Sequence, residues 1–497
     1  MPRPFSKIRS AAIDGRVLNP IFRKLQLKQL HDALSDKAAE IQEAIATDTG
    51  HTRAEVQIEY WLALRQLSQA HAALDPKKAL HDEYALSRGE SASQREAVGI
   101  VVIHPAKHAF FSCLMSALVP ALAAGNCVIV ETEQSLLRTP PLVLNLIAHA
   151  LDQDIFDTAP APISEADLGH PHVRVLQNGH GSDDGAPHLA HHLVSDPQAR
   201  VVAVVERDAD LDLAARELVR ARFALRGRSP YAPDLVLVNE WVKREFLEAA
   251  LRHAVRFGGP GGGSGSGGGE KTGLRMGLGP QGPVADAVKK ERGVSVLSWS
   301  AAGAVVDVED RKSRLLQRKV QESCLLVHAV TSIDDAIDFS QGQRLGAAYV
   351  FTKPSAAKYI CQFLDSPMSF VNHVPTSLLF LPIAPSNTPV DPISYAPYNE
   401  EAFTRPKAQF ASPSAQETVL AGLLLQQQGA SDQLAALVRE STAKLPVFKR
   451  SKVAMTHFFN QGILTGGLLL LSTMLGVTGV CTYYGFGVVR SRLFHGL

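Results

Sequence analysis

Two apolar runs on either side of a helical stretch constrain the fold more than any other feature of this chain. Gly99–Ile103 is entirely apolar, Ala124–Val130 ends in the run CVIV, and Phe110–Ala123 between them has helical character. Apolar strands without alternation are typical of a parallel sheet covered on both faces. The order strand, helix, strand predicts a β-α-β unit of the doubly wound, dinucleotide-binding type, so we expect an α/β fold.

Charge and cysteine content exclude several classes of protein. The 497 residues carry a formal net charge of +1, so the chain has no overall positive field for nucleic acid. Its five cysteines are scattered and form no C-x-x-C pair. This spacing argues against a disulfide framework and a zinc site, and it favours a reducing, cytosolic environment for the body. The length predicts two or three domains.

The C-terminal run differs sharply from the rest of the chain. Val453–Val489 contains no Asp, Glu, Lys or Arg, and Ile463–Tyr484 is nearly all apolar or small. About 20 helical residues cross a bilayer core. Basic residues flank the run, and Tyr483 and Tyr484 stand where an interfacial aromatic belt lies. We expect a single-pass membrane anchor over residues 462–484, with a buried core helix as the alternative; no organelle is specified.

The stretch Phe223–Val238 reads as a helix end, a turn and an apolar strand. Its frame, Gly227-x-x-x-x-Ala232-Pro233-Asp234, resembles the nucleophile turn G-Q-x-C-x-A-P-D of the aldehyde dehydrogenase superfamily. Leu122–Val130 (LAAGNCVIV) is similar to the family string LAAGNCVVL. The resemblance covers about residues 20 to 390 and, with the anchor, is nearest to the fatty-aldehyde type. It implies two doubly wound α/β domains plus a C-terminal transmembrane helix, and a homodimer.

The resemblance places unexpected residues at the family's functional positions. Pro230 stands where the family has its nucleophilic Cys. Lys107 or His108 stands at or near the Asn that binds the oxyanion. Lys319 replaces the Glu that binds the nicotinamide ribose, and Gln321 replaces the Phe two residues further on.

Two carboxylates are candidates for the remaining roles. Glu131 takes the place of the family's ribose-binding Lys, and a carboxylate can still accept from ribose hydroxyls. NAD is therefore allowed, whereas the added negative charge disfavours the phosphate of NADP. The family's general-base motif E-L-G-G-K is absent, and the nearest carboxylate, Asp196, is a weak candidate base. Cys113 is a thiol near the cofactor segment, and we expect it to pack in the core.

Two further features suggest ligand sites only superficially. His188, His191 and His192 have spacing that places two imidazoles on one face of a helix, but no third metal ligand is evident. We expect a solvated helix face and no metal. Gly258–Gly269 is Gly-rich without a phosphate-loop pattern, so we expect a flexible surface insertion.

The resulting domain prediction divides the chain into five parts. They are a helical part of the cofactor domain (1–90), a Rossmann-like cofactor domain (91–205), a catalytic-type domain (206–384, with the insertion 258–269), a linker and helix (385–452) and the anchor (462–484).

The pattern of matches predicts function. Scaffold positions are retained and chemical positions are replaced. We therefore expect a membrane-anchored aldehyde dehydrogenase-like protein that is degraded or inactive as a dehydrogenase. It would serve as a binding or scaffold subunit near lipophilic aldehyde metabolism, beside a partner enzyme. The alternative is an active NAD-dependent dehydrogenase with rearranged catalytic residues.

Overall fold

Alternating strands and helices make up most of the chain. The computed structural model describes residues 4–84, 95–133, 135–179, 190–258, 279–385, 388, 390–391, 393–406, 415–425, 430–446 and 458–494. The strands are β1 (Arg95–Ala97), β2 (Ile100–His104), β3 (Cys127–Glu131), β4 (Phe156–Ala159), β5 (His172–Leu176), β6 (Ala190–Val194), β7 (Arg200–Val205), β8 (Leu235–Asn239), β9 (Val294–Trp299), β10 (Ala304–Val308), β11 (Cys324–Val330), β12 (Leu345–Phe351), β13 (Ser369–Val371) and β14 (Thr404–Pro406).

The helices complete the α/β pattern. They are α1 (Ser6–Asp14), α2 (Pro20–Asp36), α3 (Ala38–Thr49), α4 (Arg53–Ala73), α5 (Pro76–Glu83), α6 (Phe110–Ala124), α7 (Thr139–Ala150), α8 (Glu165–Leu168), α9 (Leu211–Phe223), α10 (Lys243–Gly258), α11 (Pro283–Lys290), α12 (Ile333–Ser340), α13 (Pro354–Phe363), α14 (Ala415–Leu424), α15 (Ala430–Ser441) and α16 (Phe458–Phe494).

A five-stranded parallel sheet contains the predicted β-α-β unit. Its order is β4-β3-β2-β5-β6, and every neighbouring pair runs parallel. The predicted unit corresponds to β2, α6 and β3 and is confirmed. The helix α6 is apolar on all faces and is buried along almost its whole length. This composition is expected of a helix that packs between a sheet and other helices.

The second large sheet has seven strands. Its order is β13-β12-β7-β8-β11-β10-β9, and only β9 joins antiparallel. The sequence prediction placed residues 200–205 in the cofactor domain, but β7 pairs with β8 and β12. The change of sheet therefore falls between β6 and β7. An apolar run such as RVVAVV fits either parallel sheet, so its composition gives no partner.

The N-terminal region is helical, as predicted for residues 1–90, and its helices bury one apolar face. Leu27, Leu30 and Leu34 of α2 are buried at three- and four-residue steps. Gly50, in the left-handed conformation, ends α3. Thr52 then begins α4 with a capping box, in which the Glu55 side chain accepts from the Thr52 N–H at 2.8 Å.

Part of the predicted linker belongs to the compact body. The unit that contains both sheets extends to Phe410, and β14 pairs antiparallel with β1. Tyr398 and Phe403 are buried in the same core cluster as β2 and β3. The expectation that the chain leaves the body at 385 is therefore wrong, because these two aromatic residues anchor an otherwise Pro- and Ser-rich segment.

The second unit, Ala411–Leu497, contains the predicted anchor. Its helices are α14, α15 and α16, and Gln461–Phe486 within α16 is long and apolar enough to cross a membrane. This span contains the predicted 462–484. Within the predicted linker and helix (385–452), this unit contains two helices, α14 and α15.

Candidate functional site

The turn between α9 and β8 is held in an unusual backbone conformation. After α9 ends at Phe223, Leu225 and Arg226 both adopt positive φ angles of 52° and 54°, followed by Gly227 at 70°. A Cβ on Gly227 would lie 2.2 Å from the carbonyl carbon of Glu322. Only glycine fits there, which explains why the motif that ends in Ala232-Pro233-Asp234 begins with a glycine.

A fully buried ion pair holds the turn in place through hydrogen bonds to its main chain. Arg222 and Asp234 are both 0% exposed, and Nη2 of Arg222 lies 3.1 Å from Oδ1 of Asp234. Burial lowers the pKa of Arg222, and the Asp234 carboxylate opposes that effect. The guanidinium also donates to main-chain carbonyls of Gly227, Ala232, Pro233, Val320 and Glu322. One side chain therefore fixes the turn to β8 and to the segment before β11.

Lys319 occupies the space directly beneath Pro230. Its side chain is 5% exposed. Its Nζ donates to the carbonyl of Pro230 at 2.6 Å, to the carbonyl of Ala199 at 2.8 Å and to Oδ2 of Asp234 at 3.0 Å. Burial lowers the pKa of Lys319, and Asp234 counteracts this. Because all three ammonium protons have acceptors, Lys319 acts as a cross-link between β7, the turn and β8.

The segment 377–384 contacts both α6 and the turn between α9 and β8. Ser112 Oγ donates to the Phe380 carbonyl at 2.6 Å, and Cys113 Sγ lies 3.6 Å from the same oxygen. The Ala384 N–H donates to the Tyr231 hydroxyl at 2.9 Å. Cys113 is wholly buried, and burial raises its pKa well above the ordinary thiol value. A thiolate nucleophile is therefore not available at Cys113.

Comparison with known proteins identifies the family. The profile of the aldehyde dehydrogenase family matches residues 10–262, about half of the chain. This chain belongs to the aldehyde dehydrogenase family. Aldehyde dehydrogenase family 3 member A2 of Mus musculus is 25% identical over 394 residues, covering 74% of this chain and 78% of the relative. Family 3 member B1 of Mus musculus is 24% identical over 368 residues, covering 70% and 77%.

Solved structures show the same fold. Substrate-bound AldH of Staphylococcus aureus has a TM-score of 0.63 at 18% identity and covers 87% of this chain and 98% of that one. An NAD-dependent benzaldehyde dehydrogenase of Corynebacterium glutamicum has a TM-score of 0.59 at 16% identity, covering 83% and 88%. The aldehyde dehydrogenase-like α/β fold predicted from the sequence is therefore confirmed.

Glu131, the sequence-derived candidate for cofactor binding, is committed to a buried network. The residue is 3% exposed. Its Oε1 accepts from the Ile163 N–H at 2.9 Å and lies 3.4 Å from Nη2 of Arg174, while Oε2 lies 3.6 Å from Nδ1 of His104. Burial raises the pKa of Glu131, but His104, the Ile163 amide and Arg174 together outweigh it and lower the pKa.

The described residues do not fit the NAD that an aldehyde dehydrogenase holds. Both carboxylate oxygens of Glu131 face inward to protein groups, so ribose hydroxyls would have to displace them. Lys319, which the resemblance places at the second ribose position, has no acceptor for a ribose hydroxyl, and its ammonium donates to carbonyls. We therefore derive no hydride-transfer step for this chain.

The oxyanion position is not served by either sequence candidate. Lys107 is exposed and pairs with Glu133 at 2.8 Å. His108 Nε2 is engaged by the Leu379 carbonyl at 2.8 Å, and burial lowers the pKa of His108 to about 4, so the ring is neutral at physiological pH. Neither side chain is free to stabilise a developing negative charge at the turn.

Asp196, the weak candidate base, lies in the connection between β6 and β7. Its Oδ1 accepts from the Gln198 N–H at 2.9 Å, and its carbonyl accepts from Ala199. This is a local turn, and the carboxylate contacts no catalytic partner within the described ranges. Its role as a base remains a prediction.

The histidine prediction is wrong in its secondary structure. His191 and His192 lie in β6, where successive side chains point to opposite faces of the sheet, rather than on a helix. Among the residues described, no group of three or more His, Cys, Asp or Glu is placed to hold a metal. His188 and most of the Gly-rich segment 258–269 lie outside the described residues.

Sequence reasoning missed the groups that hold this site together. Arg222 carries a signal, because it lies four residues after Leu218 on the buried face of α9, where a charge requires a partner. The packing of 377–384 against α6 carries no such signal, because its contacts run through main-chain carbonyls.

Proposed function

We propose that this chain is a membrane-anchored member of the aldehyde dehydrogenase family that does not carry out thiol-dependent aldehyde oxidation. It acts as a binding or scaffold subunit near lipophilic aldehyde metabolism, as a homodimer and beside a partner enzyme, with its body in the cytosol. The observation that carries the proposal is the contact of Lys319 Nζ with the Pro230 carbonyl at 2.6 Å.

The chemistry of the family explains why this contact matters. Aldehyde oxidation by this route needs a thiolate that attacks the carbonyl and a donor that stabilises the oxyanion. Proline supplies neither a thiol nor an N–H. A lysine that replaces the ribose carboxylate and binds the turn fills the position with a structural cation, so the replacements at these positions support one another.

The residue at the end of β3 also bears on the preference between NAD and NADP. Glu131 stands at the end of β3, where the family carries a ribose-binding Lys. The cation of that Lys is absent from this position, and the loss matters more for the additional phosphate of NADP than for NAD. We infer that any residual dinucleotide binding favours NAD.

Purified full-length protein in uncharged detergent tests the proposal. We expect neither NADH production from a long-chain aldehyde with NAD nor NADPH production with NADP. Pro230→Cys should also remain inactive, because the oxyanion and ribose positions are still replaced, and Pro230→Ser is the matched control for the backbone change. Turnover by the wild-type chain would contradict the proposal and favour a dehydrogenase with rearranged residues. Turnover by Pro230→Cys alone would show that the cofactor site is intact.

A further inference from the structure

Two exposed arginines flank the glycine of the turn. Arg226 and Arg228 lie on either side of Gly227, and both are exposed. Neither guanidinium pairs with a carboxylate in the described part of the chain. In the buried half of the turn, by contrast, Arg222 and Lys319 share Asp234. The outer face of the turn therefore carries unneutralised positive charge.

The loop between α3 and α4 packs onto these arginines. A Cβ on Gly50 would lie 3.1 Å from Nη2 of Arg226, so this guanidinium rests on the loop backbone. Glu55 Oε1 accepts from the Leu225 N–H at 2.7 Å and joins the same loop to the turn. His51, next to Gly50, is thereby brought beside the arginines.

His51 supplies an unused buried polar atom. Its Nδ1 is buried and has no hydrogen-bond partner among the residues described. Burial lowers the pKa of His51, Glu55 opposes this, and the charges of Arg226 and Arg228 lower the pKa further. A buried unpaired nitrogen is costly, and a ligand that hydrogen-bonds to it removes that cost.

We propose that Arg226, Arg228 and His51 form a binding site for a phosphate group. Two guanidinium groups match the charge of a phosphate dianion and can each donate two N–H groups to its oxygens. Glu55, the carboxylate that lies beside His51, is already held by the N–H groups of Leu225 and Thr52. The site goes beyond the proposed function and does not depend on whether the chain oxidises aldehydes.

Calorimetric titration of inorganic phosphate into the full chain, in uncharged detergent at constant ionic strength, tests the site. Arg226→Gln and Arg228→Gln should each weaken phosphate binding about tenfold or more. The matched control is Arg244→Gln, because Arg244 is exposed on α10, away from the turn in sequence. Phosphate should also raise the pKa of His51, so binding takes up protons and its heat depends on the buffer; His51→Gln should abolish that dependence.

Two results would overturn the proposal. One is the absence of saturable phosphate binding by the wild-type chain, and the other is an equal loss in Arg244→Gln, which would indicate general screening. The source of the phosphate is distinguished with nanodiscs. If phosphatidic acid in the bilayer blocks inorganic phosphate where phosphatidylcholine does not, the group is a lipid headgroup; equal binding in both identifies a soluble phosphate compound.

Discussion

Asp234 is the carboxylate that pairs with both buried cations of the turn, Arg222 and Lys319. Its two oxygens accept from Arg222, Lys319 and the N–H groups of Val201 and Val320. Removal of one partner from a buried ion pair leaves an uncompensated charge in a low-dielectric interior, which costs more than the pair contributes.

Asp234→Ala should therefore be among the most destabilising substitutions in the body. We expect a loss of about 3–5 kcal/mol in the free energy of unfolding. Urea unfolding followed by circular dichroism measures it. Asp212→Ala, which removes an exposed partner of Arg252, serves as the control and should leave the midpoint unchanged. A small effect of Asp234→Ala would mean that water replaces the carboxylate.

Glu59 is a second buried carboxyl group, placed in α4 against the beginning of α6. It is 1% exposed, its Oε1 accepts from the Phe111 N–H at 3.2 Å, and its Oε2 has no partner among the described residues. Burial raises the pKa of Glu59 to about 7, while the amides of Ser112 and Phe111 lower it in part.

A carboxyl group whose pKa is raised on folding makes the protein less stable as pH rises. Between the unfolded value near 4.5 and the folded value of about 7, the folded state binds more protons. From pH 5 to pH 8, this group should remove about 2–3 kcal/mol of stability. Glu59→Gln should abolish this decline in urea midpoints, whereas the exposed Glu43→Gln should retain it.

The left-handed conformation of Arg226 strains the turn. A non-glycine residue in this region costs about 1–2 kcal/mol, and glycine removes that strain. Glycine also has a larger conformational entropy in the unfolded chain, which cancels part of the stability gained. Arg226→Gly should raise the free energy of unfolding by about 0.5–1 kcal/mol. Arg244→Gly, in the helical α10, should instead lower it by about 1 kcal/mol. Opposite signs in thermal melts would support the conformation, and equal destabilisation would contradict it.

Among the helices and strands, α16 contains a span that is long and apolar enough to cross a membrane. The span Gln461–Phe486 has no side chain of Asp, Glu, Lys or Arg and has mean hydropathy 1.8. Its hydroxyl side chains are satisfied within the helix, since Thr465, Thr473 and Thr478 donate to carbonyls one turn back. These threonine hydroxyls therefore present no unpaired donor to lipid.

A charge in the middle of this helix should oppose membrane insertion. Leu471→Arg should cost about 2.5–3.5 kcal/mol, whereas Gln461→Arg, at the end of the span, should cost little because the side chain reaches the interface. The fraction of protein that resists alkaline carbonate extraction measures the difference. Equal extraction of both variants would contradict a spanning helix.

Element prediction succeeded where one face or both faces of an element are apolar. The β2-α6-β3 unit and the strand β8 were both indicated by local pattern. The pattern did not assign β7 to its sheet, and it took His191 and His192 for helical residues. Short apolar runs fit more than one partner, and strand pairing depends on residues far apart in the chain.

For the whole molecule, the body extends through both sheets and the ribbon of β1 and β14. Tyr398 and Phe403 join this end of the chain to the core of the five-stranded sheet. Asn126 strengthens the connection, because its side-chain amide donates to the Phe403 carbonyl at 3.1 Å.

Truncation at two points should separate the observed body from the predicted one. A chain of residues 1–410 should be soluble and melt cooperatively, because it retains both aromatic anchors. A chain of residues 1–384 should aggregate or lose about 3–5 kcal/mol for each large aromatic side chain removed from the core. Equal melting of the two chains would show that residues 393–406 are dispensable.

The sequence by itself determined the fold class and the family, because these depend on local patterns and on residue identity, and it predicted that Pro230 stands at the nucleophile position. Only the tertiary structure decided what the replacing residues do. Lys319 and Glu131 read as altered cofactor ligands, yet their partners are Ala199, Pro230 and Asp234 for one and His104, Ile163 and Arg174 for the other. Those contacts join residues up to 120 positions apart, and a side chain's role depends on which acceptors the fold brings to it.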